Sequence, residues 1–147
     1  MRNENLLYVS FAGYLREWLM HTFGNPVKFP SHSGENAVLK RFLVKLPAGA
    51  RPHIVRGKNE VAVVAPAIAY KPYSLYNHLT EEGRRALQHS VKTLFIIDLW
   101  NSVSPHLLSE SVRIGDAVER WCTQRGISVD NYSAVLQLFY RIRNDYR

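Results

Sequence analysis

Apolar positions recur at helical spacing along most of the chain, and two short runs have a different pattern. Residues Leu6–Ser10 (LLYVS) and 61–65 (VAVVA) are rich in β-prone residues and predict two strands. From residue 11 the apolar side chains recur at intervals of three and four, which predicts a helix that ends at Gly24 and Pro26. The predicted buried face of this helix comprises Phe11, Leu15, Trp18, Leu19 and Phe23.

A second helix is predicted to begin at Ser33, whose hydroxyl can accept a hydrogen bond from a backbone N–H of the first turn. Glu35 suits the positive end of the helix dipole, and Pro47 ends the pattern. The predicted apolar face comprises Val38, Leu39, Phe42, Leu43 and Leu46. Because Lys40, Arg41 and Lys45 fall largely outside that face, the helix is expected to be basic on another side.

The longest apolar stripe follows Thr80, which with Glu81 and Glu82 has the features of a helix start. Its face comprises Leu87, Val91, Leu94, Phe95 and Leu99, with Ile97 and Trp100 beside them. Pro105 is predicted to stop this helix, which is expected to be the central one.

Asp98 interrupts the apolar run of the central helix. Because a buried charge usually requires a partner, a structural ion pair is favoured over a catalytic role. The candidate partners are Arg84, Arg85 and Lys92.

Two further helices are predicted near the end of the sequence. Ser109 or Ser111 is expected to cap the first, and Gly126 suits the left-handed residue that follows its end. Asp130 is expected to cap the second, whose inward positions are Val135, Leu136, Phe139 and Ile142.

This helical pair resembles a helix-turn-helix in outline, with the potential base-reading positions at Asn131, Tyr132 and Ser133. The connection is longer than usual, and the basic residues Arg141 and Arg143 lie at the far end of the second helix. A plain helical hairpin that closes the core is therefore favoured.

These elements predict a mainly α fold, namely a compact single domain over residues 1–147. Five or six helices are expected to pack around residues 80–100, and the two strands are expected to pair as a small ribbon. An α+β arrangement is the alternative. A chain of 147 residues suits one domain, since two would each have too small a core.

The charge of the chain favours polyanionic partners. Its formal net charge is +7, and the interval 28–58 contains one acidic residue, Glu35. The basic residues of that interval are Lys28, Lys40, Arg41, Lys45, Arg51, Arg56 and Lys58. Lysine and arginine contacts to phosphates give nucleic-acid affinity without sequence selectivity, so these seven residues are the candidate nucleic-acid contacts.

The segment 70–76 combines rings with a cation, since it contains Tyr70, Lys71, Tyr73 and Tyr76. Single strands are bound by stacking of bases on such rings beside positive charge. The alternative is that the tyrosines pack the segment against the core with their hydroxyls at its edge. Packing is favoured, because the segment has one cation and lies outside the basic half.

No recognisable catalytic or metal-binding motif is present. The six histidines are scattered along the chain, and Cys122, the sole cysteine, is expected to be a core residue in a reducing compartment. Neither a signal peptide nor a membrane span is expected. The chain is therefore interpreted as a cytoplasmic non-enzyme with no cofactor, small-molecule substrate or membrane partner.

Three stretches are similar to small uncharacterised proteins of bacterial prophages and integrated mobile elements. They are residues 21–39 (HTFGNPVKFP followed by SxENxxL), the segment 76–100 (YNxL, then F to LW) and the ending FYRxR at 139–143. The resemblance implies a mainly helical domain in a DNA-handling setting, and it implies no active-site residues.

The first functional hypothesis is therefore a non-enzymatic accessory or regulatory protein that binds DNA or RNA through the basic N-terminal half. The alternative is a protein–protein adaptor or a small oligomeric scaffold, whose partner is another protein or a second copy of the chain. Large aromatic side chains are enriched at interfaces, and the candidate anchors are Trp18, Trp100, Trp121, Tyr73 and Tyr76.

Overall fold

The computed structural model describes residues 5–50, 57, 59–109 and 111–145, which share one hydrophobic core. The helices are α1 (Gly13–Phe23), α2 (Gly34–Phe42), α3 (Glu81–Val103), α4 (Ile114–Gln124) and α5 (Tyr132–Asp145). The strands are β1 (Leu6–Ser10), β2 (Leu43–Val44), β3 (Glu60–Val64) and β4 (His78–Leu79). The predicted mainly α class, with five helices and a small ribbon, is confirmed.

The predicted ribbon is the antiparallel pair β1–β3, in which Leu6 lies opposite Val64. Alternate side chains of both strands are buried, as expected for a ribbon with one face on the core. Val27, which lies between α1 and α2, adds a parallel bridge to the outer edge of β3. The Val27 N–H donates a 2.8 Å hydrogen bond to the Ala62 carbonyl, and the Val27 carbonyl accepts one of 2.8 Å from the Val64 N–H. This bridge widens the ribbon at the point where the 28–31 segment begins.

Helix α2 begins as predicted, because the Ser33 hydroxyl accepts a 3.1 Å hydrogen bond from the backbone N–H of Asn36. The prediction that it continues to Leu46 is wrong. The helix ends at Phe42, and β2 pairs with β4 through Leu43 and Leu79. Both leucines are buried, so pairing of distant segments outweighs the local helical pattern here.

Helix α3 is the centre of the fold and packs against the other four helices. The Thr80 hydroxyl caps it by accepting a hydrogen bond from Gly83, as predicted. Helix α3 ends at Val103, and Pro105 lies in a following 3₁₀ turn, Ser104–Leu108. Within the described residues, no helix has the length and apolar character needed to cross a membrane.

The cap predictions for the last two helices are wrong. Arg113 occupies the N-cap position of α4 and makes no side-chain cap bond, while Asp130 lies within a 3₁₀ turn, Val129–Asn131. The carboxylate of Glu17 on α1 replaces a local cap by accepting 3.1 Å hydrogen bonds from the backbone N–H and the hydroxyl of Ser128. Gly126 has the predicted left-handed conformation, with φ 73°.

Gly83 lets the start of α3 approach α2 closely. A Cβ at this position would overlap the Cβ of Phe42 and lie 2.9 Å from Leu79 Cδ1. Gly83→Ala is therefore expected to lower the free energy of unfolding by about 1–3 kcal/mol despite the higher helix propensity of alanine. Urea denaturation measures the change.

Gly115→Ala on α4 is the matched control, because a Cβ there has no neighbour within 4 Å among the described residues. This control is expected to raise stability by up to about 1 kcal/mol. Equal effects of the two substitutions would contradict the close approach at Gly83.

Candidate nucleic-acid interface

Four of the seven predicted phosphate contacts lie within the described residues. Lys28, Lys40, Arg41 and Lys45 are all exposed. The other three predicted contacts, Arg51, Arg56 and Lys58, lie outside the described residues. Lys28 and Lys40 line one groove and Lys45 lines another, whereas Arg41 lines neither of these two.

We call the groove beside β1 the tyrosine groove. It has a volume of about 650 Å³ and is lined by residues 6–8, 45–46, 73–75, 77–78 and 84. Its charged lining residues are Lys45, which follows β2, and Arg84 on the first turns of α3, and His78 of β4 lies beside them. Among the described residues that line it there is no Asp or Glu, so the charged side chains of its lining are positive.

The ring of Tyr76 brings two cations together beside the tyrosine groove. Lys45 Nζ lies 5.5 Å and Lys71 Nζ 6.0 Å from the ring centroid, within the range of cation–π attraction. Lys71 also donates 3.0 Å hydrogen bonds to the carbonyls of Lys40 and Leu43. Its positive charge thereby complements the C-terminal end of α2.

Two tyrosines line the tyrosine groove, and both are half-buried. Tyr8 points away from the core because it alternates with the buried Leu7 and Val9 in β1. The Tyr73 hydroxyl donates a 2.8 Å hydrogen bond to the Leu6 carbonyl. Burial, and secondarily the neighbouring Tyr8, raises the pKa of Tyr73, so its phenol stays neutral.

The packing interpretation of the 70–76 segment therefore holds for Tyr73, which rests on the core with its hydroxyl at the edge. It does not hold for Tyr70, which is 90% exposed. The segment itself has one cation, Lys71, and the fold brings Lys45 and Arg84 beside it.

We call the second basic groove the lysine groove. It has a volume of about 350 Å³ and lies between the 28–31 segment, α2 and residues 64–67. Lys28 and Lys40 line it together with Asn36, whose side-chain amide donates a 3.2 Å hydrogen bond to the Ser31 carbonyl. Since Val64 of this groove pairs with Leu6 of the tyrosine groove, the two grooves lie at opposite edges of the β1–β3 ribbon.

Two of the three potential base-reading residues of the helical pair make hydrogen bonds to other residues of the protein. The side-chain amide of Asn131 donates to the Glu17 carboxylate, and the Tyr132 hydroxyl lies 2.6 Å from the Thr123 hydroxyl. Ser133 is exposed. These contacts support the helical hairpin and remove two of the three proposed base contacts.

Asp98 forms the expected structural ion pair, but none of the predicted partners is the right one. Its carboxylate accepts hydrogen bonds of 2.9 and 3.0 Å from Arg125 at the end of α4, and one of 2.9 Å from the Trp18 indole. Arg84 instead donates to the Tyr8 carbonyl at the tyrosine groove. With both carboxylate oxygens bound, Asp98 has a structural role.

Other candidate reactive groups lie in the core or do not cluster. Cys122 is fully buried, and burial, followed by the charges of Glu119 and Glu17, raises the pKa of its thiol to about 12. The part of the chain that the structure describes contains no group of three or more His, Cys, Asp or Glu able to hold a metal ion. Trp18 and Trp121 are buried, which removes them as interface anchors.

Sequence reasoning missed Tyr8 and Arg84 as groove residues. The alternation of β1 already indicated that Tyr8 points away from the core, whereas the location of Arg84 depends on how α3 packs beside β1.

Comparison of this chain with known protein families, with curated proteins and with solved structures gave no match.

Proposed function

We propose that this protein is a non-enzymatic, cytoplasmic accessory or regulatory protein that binds nucleic acid through the basic grooves beside β1 and α2. The observation that carries the proposal is the tyrosine groove, where Lys45 from the basic half and Arg84 from α3 lie beside tyrosines, with no carboxylate among the described lining residues. Cations beside aromatic rings are the combination with which proteins bind nucleic-acid strands.

Phosphate contacts supply the affinity in this proposal. Lys28, Lys40 and Lys45 are exposed, so their ammonium groups are accessible to a polyanion, and each contact releases condensed counterions. Binding is therefore expected to weaken steeply as salt is raised and to depend little on base sequence.

Fluorescence polarisation with labelled DNA and RNA at low and physiological salt tests the proposal. The wild-type protein is expected to bind at micromolar or tighter concentration at low salt and more weakly as salt rises. Lys40→Glu with Lys45→Glu is expected to weaken binding by at least about tenfold, because two phosphate contacts become repulsive.

The control is Arg113→Glu with Arg120→Glu, which changes the net charge equally at two exposed positions of the α4 region. This control is expected to bind nearly as well as the wild type. Absence of binding at low salt, or equal losses in both double variants, would contradict a site at the grooves.

A further inference from the structure

We infer that the ligand is a single strand whose bases stack in the tyrosine groove and whose phosphates continue along a row of cations into the lysine groove. The inference rests on the proposed function and adds to it the strandedness of the ligand and its path. Tyr8 is the stacking ring, and Tyr73, which is packed on the core, forms the adjoining wall of the groove.

The cations that join the two grooves follow the C-terminal end of α2. Lys40 lines the lysine groove and Lys45 lines the tyrosine groove. Between them, the ammonium of Lys71 binds the carbonyl of Lys40 on one side and lies beside the Tyr76 ring on the other. Cations therefore line both grooves and the end of α2 between them, with Lys28 in the lysine groove and Arg84 in the tyrosine groove.

The shape of these sites favours a single strand over a duplex. In a duplex the bases are already stacked on each other, so rings set in a concave groove have no base face to contact, whereas unpaired bases can enter and stack. Duplex readers place a protruding helix in the major groove. Here the helical pair that resembled such a reader has Asn131 and Tyr132 held by contacts within the fold.

Two side chains of the tyrosine groove are anchored by hydrogen bonds within the protein. Arg84 donates to the Tyr8 carbonyl, and Tyr73 donates to the Leu6 carbonyl. Both acceptor carbonyls lie on β1, the strand that also carries the Tyr8 ring. Binding of a nucleic-acid strand therefore requires little further ordering of these side chains, and ordering of side chains lowers affinity.

An abasic oligonucleotide separates stacking from phosphate contacts, because it keeps the charge and lacks the bases. Equilibrium titration would compare oligothymidylate of about sixteen nucleotides, its uridylate counterpart, the abasic analogue and a duplex of equal length. The base-containing single strands are expected to bind about 5- to 150-fold more tightly than the abasic analogue for each stacked base.

The single strands are likewise expected to bind more tightly than the duplex. Abasic or duplex binding as tight as that of oligothymidylate would overturn the inference and leave the proposed function standing. Failure of every oligonucleotide to bind would overturn both.

A substitution at Tyr8, with a matched control at Tyr140, tests where the nucleic-acid strand binds. Tyr8→Leu keeps an apolar strand residue and is expected to weaken binding of oligothymidylate by about 5- to 150-fold while leaving binding of the abasic analogue unchanged. Tyr140→Leu on α5 is the matched control, and far-UV circular dichroism confirms that each variant is folded. A loss as large for the abasic analogue as for oligothymidylate would overturn stacking on Tyr8.

Lys28→Glu tests the path into the lysine groove. It is expected to weaken binding of the sixteen-nucleotide strand and to leave binding of a strand of about four nucleotides unchanged, since the short strand occupies the tyrosine groove alone. Equal effects on both lengths would overturn the continuous path.

Discussion

Replacing Phe95 with alanine is expected to lower the free energy of unfolding by about 3–5 kcal/mol. Phe95 is fully buried on α3, and its ring centroid lies 5.2 Å from Tyr14, 5.5 Å from Trp18 and 5.4 Å from Trp121. The substitution removes a large apolar surface and leaves a cavity whose rigid aromatic walls cannot easily close. Urea denaturation followed by circular dichroism measures the loss.

Ile97→Ala is the control, because Ile97 lies on the same helix and is 51% exposed. Its expected cost is below about 1 kcal/mol. If Phe95→Ala does not fold, Phe95→Leu provides the measurement, with an expected cost of about 1–2 kcal/mol for the smaller change in volume. A loss at Phe95 no larger than that at Ile97 would show that these aromatic contacts do not form the centre of the core.

The elements that the sequence predicts well are those whose side-chain pattern and environment agree. Strand β1 alternates between buried and more accessible positions along its length, and β3 matches it in the ribbon. Helix α3 buries Leu87, Phe95 and Leu99 on one face, as their spacing by multiples of four residues predicts. In these elements the period of apolar residues is sufficient to identify the structure.

The errors occur where a distant partner determines the local structure. The backbone of Leu43 pairs with that of Leu79, so α2 stops before its apolar pattern does. The Glu17 carboxylate accepts from Ser128, 111 residues away, so a contact with α1 holds the turn before α5. No local pattern contains either contact.

The candidate site shows the same division. Charge and exposure of Lys28, Lys40 and Lys45 follow from the sequence, because charged side chains rarely become buried. Their arrangement does not follow, since it depends on how β2 and β4 pair and on how α3 packs beside β1. The sequence therefore identifies most of the charges but not the groove that they form.

Replacing Asp98 with asparagine is expected to lower the free energy of unfolding at neutral pH by about 2–4 kcal/mol. Asp98 joins three helices by accepting hydrogen bonds from Trp18 of α1 and from Arg125 at the end of α4. Asparagine has the same size but presents an N–H₂ group to Arg125 and leaves a partly buried cation without its counter-charge. Asp130→Asn at an exposed position is the control, with an expected change within about 0.5 kcal/mol.

The wild type and Asp98→Asn are expected to differ in unfolding free energy, and the pH dependence of that difference tests whether the ion pair causes it. Burial raises the pKa of Asp98, but the hydrogen bonds from Arg125 and Trp18 and the charge of Arg125 outweigh burial, so the pKa lies below its usual 3.8. The pKa of Asp98 is lower in the folded protein than in the unfolded chain. The ion pair therefore stabilises the fold fully at pH values above the unfolded-state pKa, and this stabilisation is lost as the pH falls through the folded-state pKa. Urea denaturation from pH 7 down to about pH 2.5 should therefore show a constant difference between wild type and Asp98→Asn above about pH 5, and a narrowing difference below about pH 4. A difference that is independent of pH would attribute the loss to packing and would contradict the ion pair.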